Sequence, residues 1–156
     1  MKSVDVLTEQ FRASGRKVTP QRQSIFRALS RSQVHPTAES VYATVSAEMP
    51  TISLRTVYQT LNDLAAMGEL STLAVGTGPT RFDPNLEPHH HLVCEQCGRI
   101  DDLHAEFPGV ALPTQGASTG FEVRATEIVF RGRCASCAQA DPQHSPHQTQ
   151  TGEHHG

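Results

Sequence analysis

The four cysteines of the chain, Cys94, Cys97, Cys134 and Cys137, fall into two C-x-x-C pairs, VCEQCGR and RGRCASCA. Each pair can set two thiolates on one tight turn, and two such turns facing each other form a closed tetrahedral all-sulfur site. Thiolates are soft enough to hold zinc, and a fourth sulfur leaves no position open for substrate. The spacing therefore predicts a structural Zn2+ and no chemistry at that ion. Two disulfides would need an oxidising compartment, whereas the N-terminus MKSVDVLTEQF is not a secretory signal. A rubredoxin-like iron centre is the other rival, but nothing else in the chain suggests electron transfer.

A second constellation uses nitrogen and oxygen. His89, His90 and His91 are consecutive, just before the first cysteine pair. On an extended segment alternate side chains share a face, so His89 and His91 point together and His90 points away. Asp83 lies a little upstream, the pair Asp101-Asp102 lies just past the first cysteine turn, and His35 stands far upstream before Pro36. Three imidazoles and two carboxylates would make a five-coordinate site suited to Fe2+, Mn2+ or similar ions. Because these ligands come from both halves of the chain, an ion bound there would set the angle between the halves. Taken singly, each residue has an ordinary reading; His35 before a proline is a common loop residue.

The elements that must position these ligands are legible from capping and periodicity. Residues 4 to 14 carry Val4, Leu7 and Phe11 at helical spacing, with Gly15 as a stop. A second helix begins at Thr19-Pro20 and carries Ile25, Phe26 and Leu29 on one face. A third starts after Thr37, with Val41, Tyr42 and Val45 inward, and ends at Pro50. A fourth starts after Ser53, with Leu54, Val57, Leu61 and Leu64 as its apolar stripe and Gly68 as its stop. LSTLAV and TRFD flank the turn-rich GTGP as a hairpin. Helices followed by a hairpin describe a winged helix, in which the fourth helix would enter the major groove of DNA. That helix offers Ser53, Arg55, Thr56, Tyr58 and Gln59; Arg suits guanine or phosphate, and Gln suits adenine.

Beyond the hairpin, residues 77 to 88 read as the wing's return and a hinge. HHHLVCEQC, GRIDDLH and FEVRATEIVFRGRC read as strands, and AEFPGVALPTQGAST between them has weak helical character. The expected organisation is α+β, with a winged helix-turn-helix domain over 1–83 and a metal-binding α/β dimerisation domain over 84–137. Residues 138–156, a His-rich segment with no apolar residue but Ala, are expected to be a disordered tail.

Composition agrees with a two-part chain. The 156 residues are 37% hydrophobic and 5% aromatic with no Trp, a modest apolar supply that a metal staple would support. The formal charge of -3 hides a split: Arg12, Arg16, Lys17, Arg22, Arg27 and Arg31 stand with no acidic residue among them. After residue 76 five Arg face ten Asp and Glu. A basic front suits a polyanion and an acidic, His-rich back suits cations. Lys17 and Arg22 are the candidates for phosphate contact. No apolar run approaches the length of a membrane span, and a cytoplasmic setting is expected.

TPQRQSIFRAL, HPTAESVY, SLRTVYQTLNDLAAMGEL, TRFD, HHHLVCEQCGRIDDLH and FRGRCASC, taken in order, resemble the ferric uptake regulator (Fur) family of metal-dependent repressors. The resemblance implies a homodimer that binds an inverted-repeat operator in double-stranded DNA. It further implies a four-cysteine structural zinc and a regulatory site at His35, Asp83, His89, His91 and Asp102. Only the resemblance selects Asp102 over Asp101. Asp at both carboxylate positions, with HPTA and TRFD, looks like the peroxide-responsive PerR branch. In that branch Fe2+ at the regulatory site reacts with hydrogen peroxide, a ligand histidine (here His35 or His89) is oxidised, and the repressor leaves DNA. The alternative is an iron-, manganese- or other metal-responsive regulator of metal uptake that does not sense peroxide. A metalloenzyme or metal carrier built on the His/Asp site is a reading of a different class, disfavoured because half the chain is spent on a winged helix. A third metal site found in some members needs a His where this chain has Thr126, and is not expected.

Overall fold

The computed structural model describes residues 2–32, 35–75, 78–108 and 126–140. Four helices lead: α1 (Val4–Ala13), α2 (Pro20–Ser30), α3 (Ala38–Glu48) and α4 (Leu54–Ala66). Each starts where a hydroxyl side chain takes up an otherwise orphaned backbone donor. Ser3, Thr19, Thr37 and Ser53 accept from the N–H groups of Val6, Arg22, Ser40 and Thr56 respectively. Gly15 (φ 74°) and Gly68 (φ 72°) reverse the chain after α1 and α4 in the left-handed region, as expected. After α4 the reversal is locked by Gly68 N–H to the Ala65 carbonyl and Glu69 N–H to the Leu64 carbonyl.

The helices bury one apolar cluster, in which Phe11, Ile25, Phe26, Val57, Leu61 and Leu64 are all 0% exposed. The hairpin follows as β1 (Ser71–Leu73) and β2 (Arg81–Asp83), shorter than the sequence suggested, paired antiparallel with Leu73 opposite Arg81. Its two faces diverge. Phe82 joins the helical cluster, whereas Leu73 packs with Val93 and Ile100 in a second, smaller one.

The second sheet contains β3 (His90–Cys94), β4 (Ile100–Leu103) and β5 (Val129–Gly132) in the order β4-β3-β5. β3 runs antiparallel to β4 and parallel to β5. A short helix, α5 (Ala135–Ala140), ends the described chain. This corrects the tail boundary, because Ala138–Ala140 are helical and Ala138 N–H donates to the Cys134 carbonyl at 2.9 Å. The alanines there favour a helical turn, and helical spacing lets Cys134 and Cys137 share a face. Residues 141–156 lie outside the described residues. So do 109–125, which include most of the expected weak helix and the first part of the late strand; 105–108 form no helix. Among the described residues, no helix is long and apolar enough to cross a membrane.

Candidate metal centres and nucleic-acid interface

The two C-x-x-C pairs do converge. The sulfurs of Cys94, Cys97, Cys134 and Cys137 all lie within 4.8 Å of one another, and none is in a disulfide. Cys97 Sγ and Cys134 Sγ are 3.7 Å apart. Four sulfurs at Zn–S bonds of about 2.3 Å would stand about 3.8 Å apart at the corners of a tetrahedron, so the donor set fits that ion. The first pair sits on the β3–β4 turn, where Gly98 (φ 71°) allows its N–H to reach the Cys94 carbonyl at 2.9 Å. The second sits at the start of α5. The Cys94 thiol is pulled down to about 6, because the backbone N–H groups of Cys134 and then Cys97 point at its sulfur. Cys137 is pushed up to about 12, chiefly by hydrogen bonding with the Cys134 and Cys97 sulfurs. Crowded thiols resist ionising together, and a dication removes that resistance.

The second cluster lies between the helical part and the β3–β4 sheet, with His35, Asp83 and His91 buried, His89 half-buried and the Asp102 side chain 30% exposed. His35, Asp83, His89 and His91 each place one donor atom within 4.8 Å of the others. The distances involve Nε2 of every histidine. His89 Nε2 lies 3.0 Å from Asp83 Oδ2 and 3.0 Å from His91 Nε2. His91 Nε2 and His35 Nε2 lie 3.5 and 3.7 Å from the same Asp83 oxygen. Asp102 closes the ring from β4, its Oδ1 2.9 Å from His35 Nε2 and 3.6 Å from His89 Nε2. Asp101 points the other way and pairs with Arg99 at 2.8 Å. The strand register decides this: Asp102 is directly opposite His91, and Asp101 is opposite the outward Leu92. His90, as expected, takes the other face, where it stacks near Phe107 (5.1 Å) and accepts the Ile128 N–H at 3.2 Å.

The protons show what these donors are for. His89 Nδ1 is 2.6 Å from the Glu87 carbonyl, which can only accept, so Nδ1 carries the hydrogen and Nε2 presents a lone pair. His91 Nδ1 is 2.8 Å from Glu127 Oε1, and the same reasoning makes its Nε2 a lone pair. Two imidazole lone pairs and a carboxylate oxygen thus face one point, and both nitrogens of buried His35 lack a well-oriented partner. Donor–metal bonds of about 2.1 Å at angles between 90° and 120° put donors about 3.0 to 3.6 Å apart, matching the separations observed. The donor set fits a divalent cation. Burial disfavours a charge on His35, but the Asp83 and Asp102 carboxylates outweigh it and raise its pKa above 6.5. Burial likewise opposes ionisation of Asp83, but His35 and the Asn85 N–H, donating at 2.7 Å, hold its carboxyl below the usual range.

Three participants escaped the sequence reading. Glu127 holds His91, Asn85 Nδ2 donates to Asp102 Oδ2 at 3.1 Å, and Arg81 spans from the His35 carbonyl (3.4 Å) to the Gly98 carbonyl (3.2 Å). Asn85 could have been found as a turn residue two positions past Asp83. Glu127 and Arg81 act across the fold and leave no local signal.

On α4, Ser53, Arg55, Tyr58 and Gln59 are exposed and Thr56 is half-buried, opposite the buried stripe of Val57, Leu61 and Leu64. Tyr58 O–H donates to Glu39 Oε1 at 2.5 Å, fixing the ring to α3. Lys17 is exposed. Arg22 is committed elsewhere: its guanidinium donates to the Lys17 carbonyl (2.8 Å), pairs with Asp63 of α4 (3.2 Å) and lies over the Phe11 ring. It braces α4 instead of extending toward a phosphate.

Comparison with known proteins decides the family. The ferric uptake regulator family profile matches residues 13–131. The chain belongs to the ferric uptake regulator family. Family membership makes it a metal-responsive transcription regulator and not an enzyme. The peroxide-responsive repressor PerR of Staphylococcus epidermidis is 37% identical over 130 residues, 82% of this chain and 85% of that protein. The peroxide stress regulator of Campylobacter jejuni, 26% identical, superposes with a TM-score of 0.58 over 88% of this chain and 100% of its own. The ferric uptake regulator of Helicobacter pylori, at 21% identity, shares the fold, with a TM-score of 0.67 over 88% of this chain and 97% of its own. The α+β architecture expected from the sequence is therefore that of the family.

Proposed function

We propose that this regulator is a homodimeric repressor of inverted-repeat operator DNA whose affinity for DNA is set by Fe2+ or Mn2+ at His35, Asp83, His89, His91 and Asp102. Its Cys94, Cys97, Cys134 and Cys137 hold a structural zinc. The observation that carries the regulatory reading is the convergence of lone pairs from His89, His91 and Asp83 with His35 and Asp102 on one point.

His35 precedes α3, Asp83 ends β2, and the other three ligands belong to β3, β4 and the segment just before β3. An ion held by all five ties the helical part to the sheet. It therefore favours the one arrangement in which they meet, by its difference in affinity between the two arrangements. α4 then presents Ser53, Arg55, Thr56, Tyr58 and Gln59 to the major groove, with Lys17 on the backbone and Arg22 keeping α4 seated on α2. The Glu39 contact pre-orients Tyr58 for that face.

The finer reading is that peroxide is the signal, supported by the staphylococcal PerR relative and by Asp at both carboxylate positions. Bound Fe2+ would supply the reductant for hydrogen peroxide within reach of an imidazole. His35 and His89, with 6% and 5% of their side chains exposed, are the ligands we assign to oxidation. Losing either donor's lone pair releases the tie between the parts. The test is operator binding by zinc-loaded protein with Fe2+ or Mn2+, with and without hydrogen peroxide, followed by mass mapping. Release with Fe2+ alone and one added oxygen on the His35 or His89 peptide is expected. Metal-dependent binding that peroxide leaves intact would replace this reading with a metal-uptake regulator.

A further inference from the structure

The contact between His91 and Glu127 lies outside the five ligands. Glu127 Oε1 is 2.8 Å from His91 Nδ1, the nitrogen that faces away from the site. The approach is fixed by backbone on both sides of it. His91 N–H donates to the Ile128 carbonyl at 3.0 Å, and Ile128 N–H donates to His90 Nδ1 at 3.2 Å. Residues 127 and 128 are thereby stitched to two consecutive histidines at the edge of β3, and Val129 continues as His91's partner in the parallel ladder. Among the described residues His89 Nδ1 meets only the neutral Glu87 carbonyl, with no carboxylate behind it.

We infer that Glu127 is a positioning residue of the regulatory site, locking His91 in the Nδ1–H tautomer and raising the donor strength of its Nε2. A carboxylate accepting from the distal N–H of a ligand imidazole fixes the ring's rotation and makes the coordinating nitrogen more basic. The contact also places a third negative charge behind a site that already has Asp83 and Asp102, which strengthens its attraction for a dication. Glu127 has 46% of its side chain exposed, so solvent screens part of the effect. Its loss is expected at the lower end of the range of about 10- to 100-fold in affinity seen for such partners.

The inference rests on the regulatory site proposed above, so its test uses full-length, zinc-loaded protein and separates the two. Mn2+ affinity is measured by competition with a chelator for the wild type and for Glu127→Gln, Glu127→Ala and His91→Ala. The tautomer of His91 is read from its side-chain 15N shifts, identified by their loss in His91→Ala. Glu127→Ala is expected to weaken Mn2+ about tenfold and to shift His91 toward the Nε2–H form, with zinc content and thermal melting unchanged. Glu127→Gln, which keeps an acceptor oxygen and loses the charge, is expected to fall between. Affinity within twofold of wild type in Glu127→Ala would overturn the inference while leaving the metal site standing. A weakened affinity with an unaltered tautomer would overturn the positioning role. Wild type binding Mn2+ no better than His91→Ala would overturn the site itself, and this inference with it.

Discussion

Replacing Cys97 by Ser should dissolve the C-terminal sheet while leaving the helical part folded. Among the described residues, the helical cluster buries fourteen apolar side chains and the sheet cluster three, Leu73, Val93 and Ile100. At about 1.5 to 3 kcal/mol for each buried side chain, those numbers correspond to roughly 20 to 40 and roughly 5 to 9 kcal/mol. A structural zinc contributes about 10 to 16 kcal/mol, so in the sheet it outweighs the apolar cluster, and in the helical part it is not needed. Cys97 is the exposed member of the four, so its conversion to Ser removes a ligand with little loss of packing. Zinc content by mass spectrometry after mild chelation, and amide hydrogen exchange resolved by peptide, are the assays. Loss of even about 4 kcal/mol raises the open fraction about a thousandfold. Exchange in β3, β4 and β5 should therefore accelerate by at least that factor, with α2 and α4 unchanged. Wild-type protection of β3 in a zinc-free Cys97→Ser protein would refute the reasoning, because apolar packing alone would then suffice.

The neighbouring aspartates should separate cleanly. Asp102→Ala is expected to weaken regulatory metal at least tenfold, and Asp101→Ala, which removes only a surface pair with Arg99, to leave it within twofold; isothermal titration with Mn2+ checks both, and equal effects would contradict the strand register. Arg55→Ala should cost about 1 to 3 kcal/mol in operator affinity by fluorescence anisotropy, and an unchanged affinity would move the DNA interface off α4. Without regulatory metal, the raised pKa of His35 stabilises the fold most fully below 6.5 and loses that contribution as pH rises through the raised value. The melting temperature should fall across that window in wild type and not in His35→Ala. Metal binding has the opposite sign: a proton on His35 competes with the ion, so Mn2+ affinity should drop by up to about tenfold per pH unit below the raised pKa. Asp83, held ionised throughout, adds no slope there.

Local chemistry was readable without a fold. The starts of three helices were legible in Thr19, Thr37 and Ser53 and the ends of two in Gly15 and Gly68, because capping depends on atoms within four residues; the Ser3 cap of α1 was not read from the sequence. The cysteine pairs were equally legible, since C-x-x-C encodes its own turn. Alternation along the strand predicted that His89 and His91 would share a face, but alternation has no phase between strands. Spacing left Asp101 and Asp102 open and only the family resemblance chose Asp102; the physical reason is the β3–β4 register, in which His91 faces Asp102. Arg22, a free cation by sequence, became a brace only when α4 brought Asp63 to it. Arg81 and Glu127 mattered only once residues 46 and 36 positions away came to rest beside them. Capping and turn chemistry are short-range and survive in the sequence; the metal centre is a meeting of distant carboxylates and imidazoles, and burial and register decided which of them met.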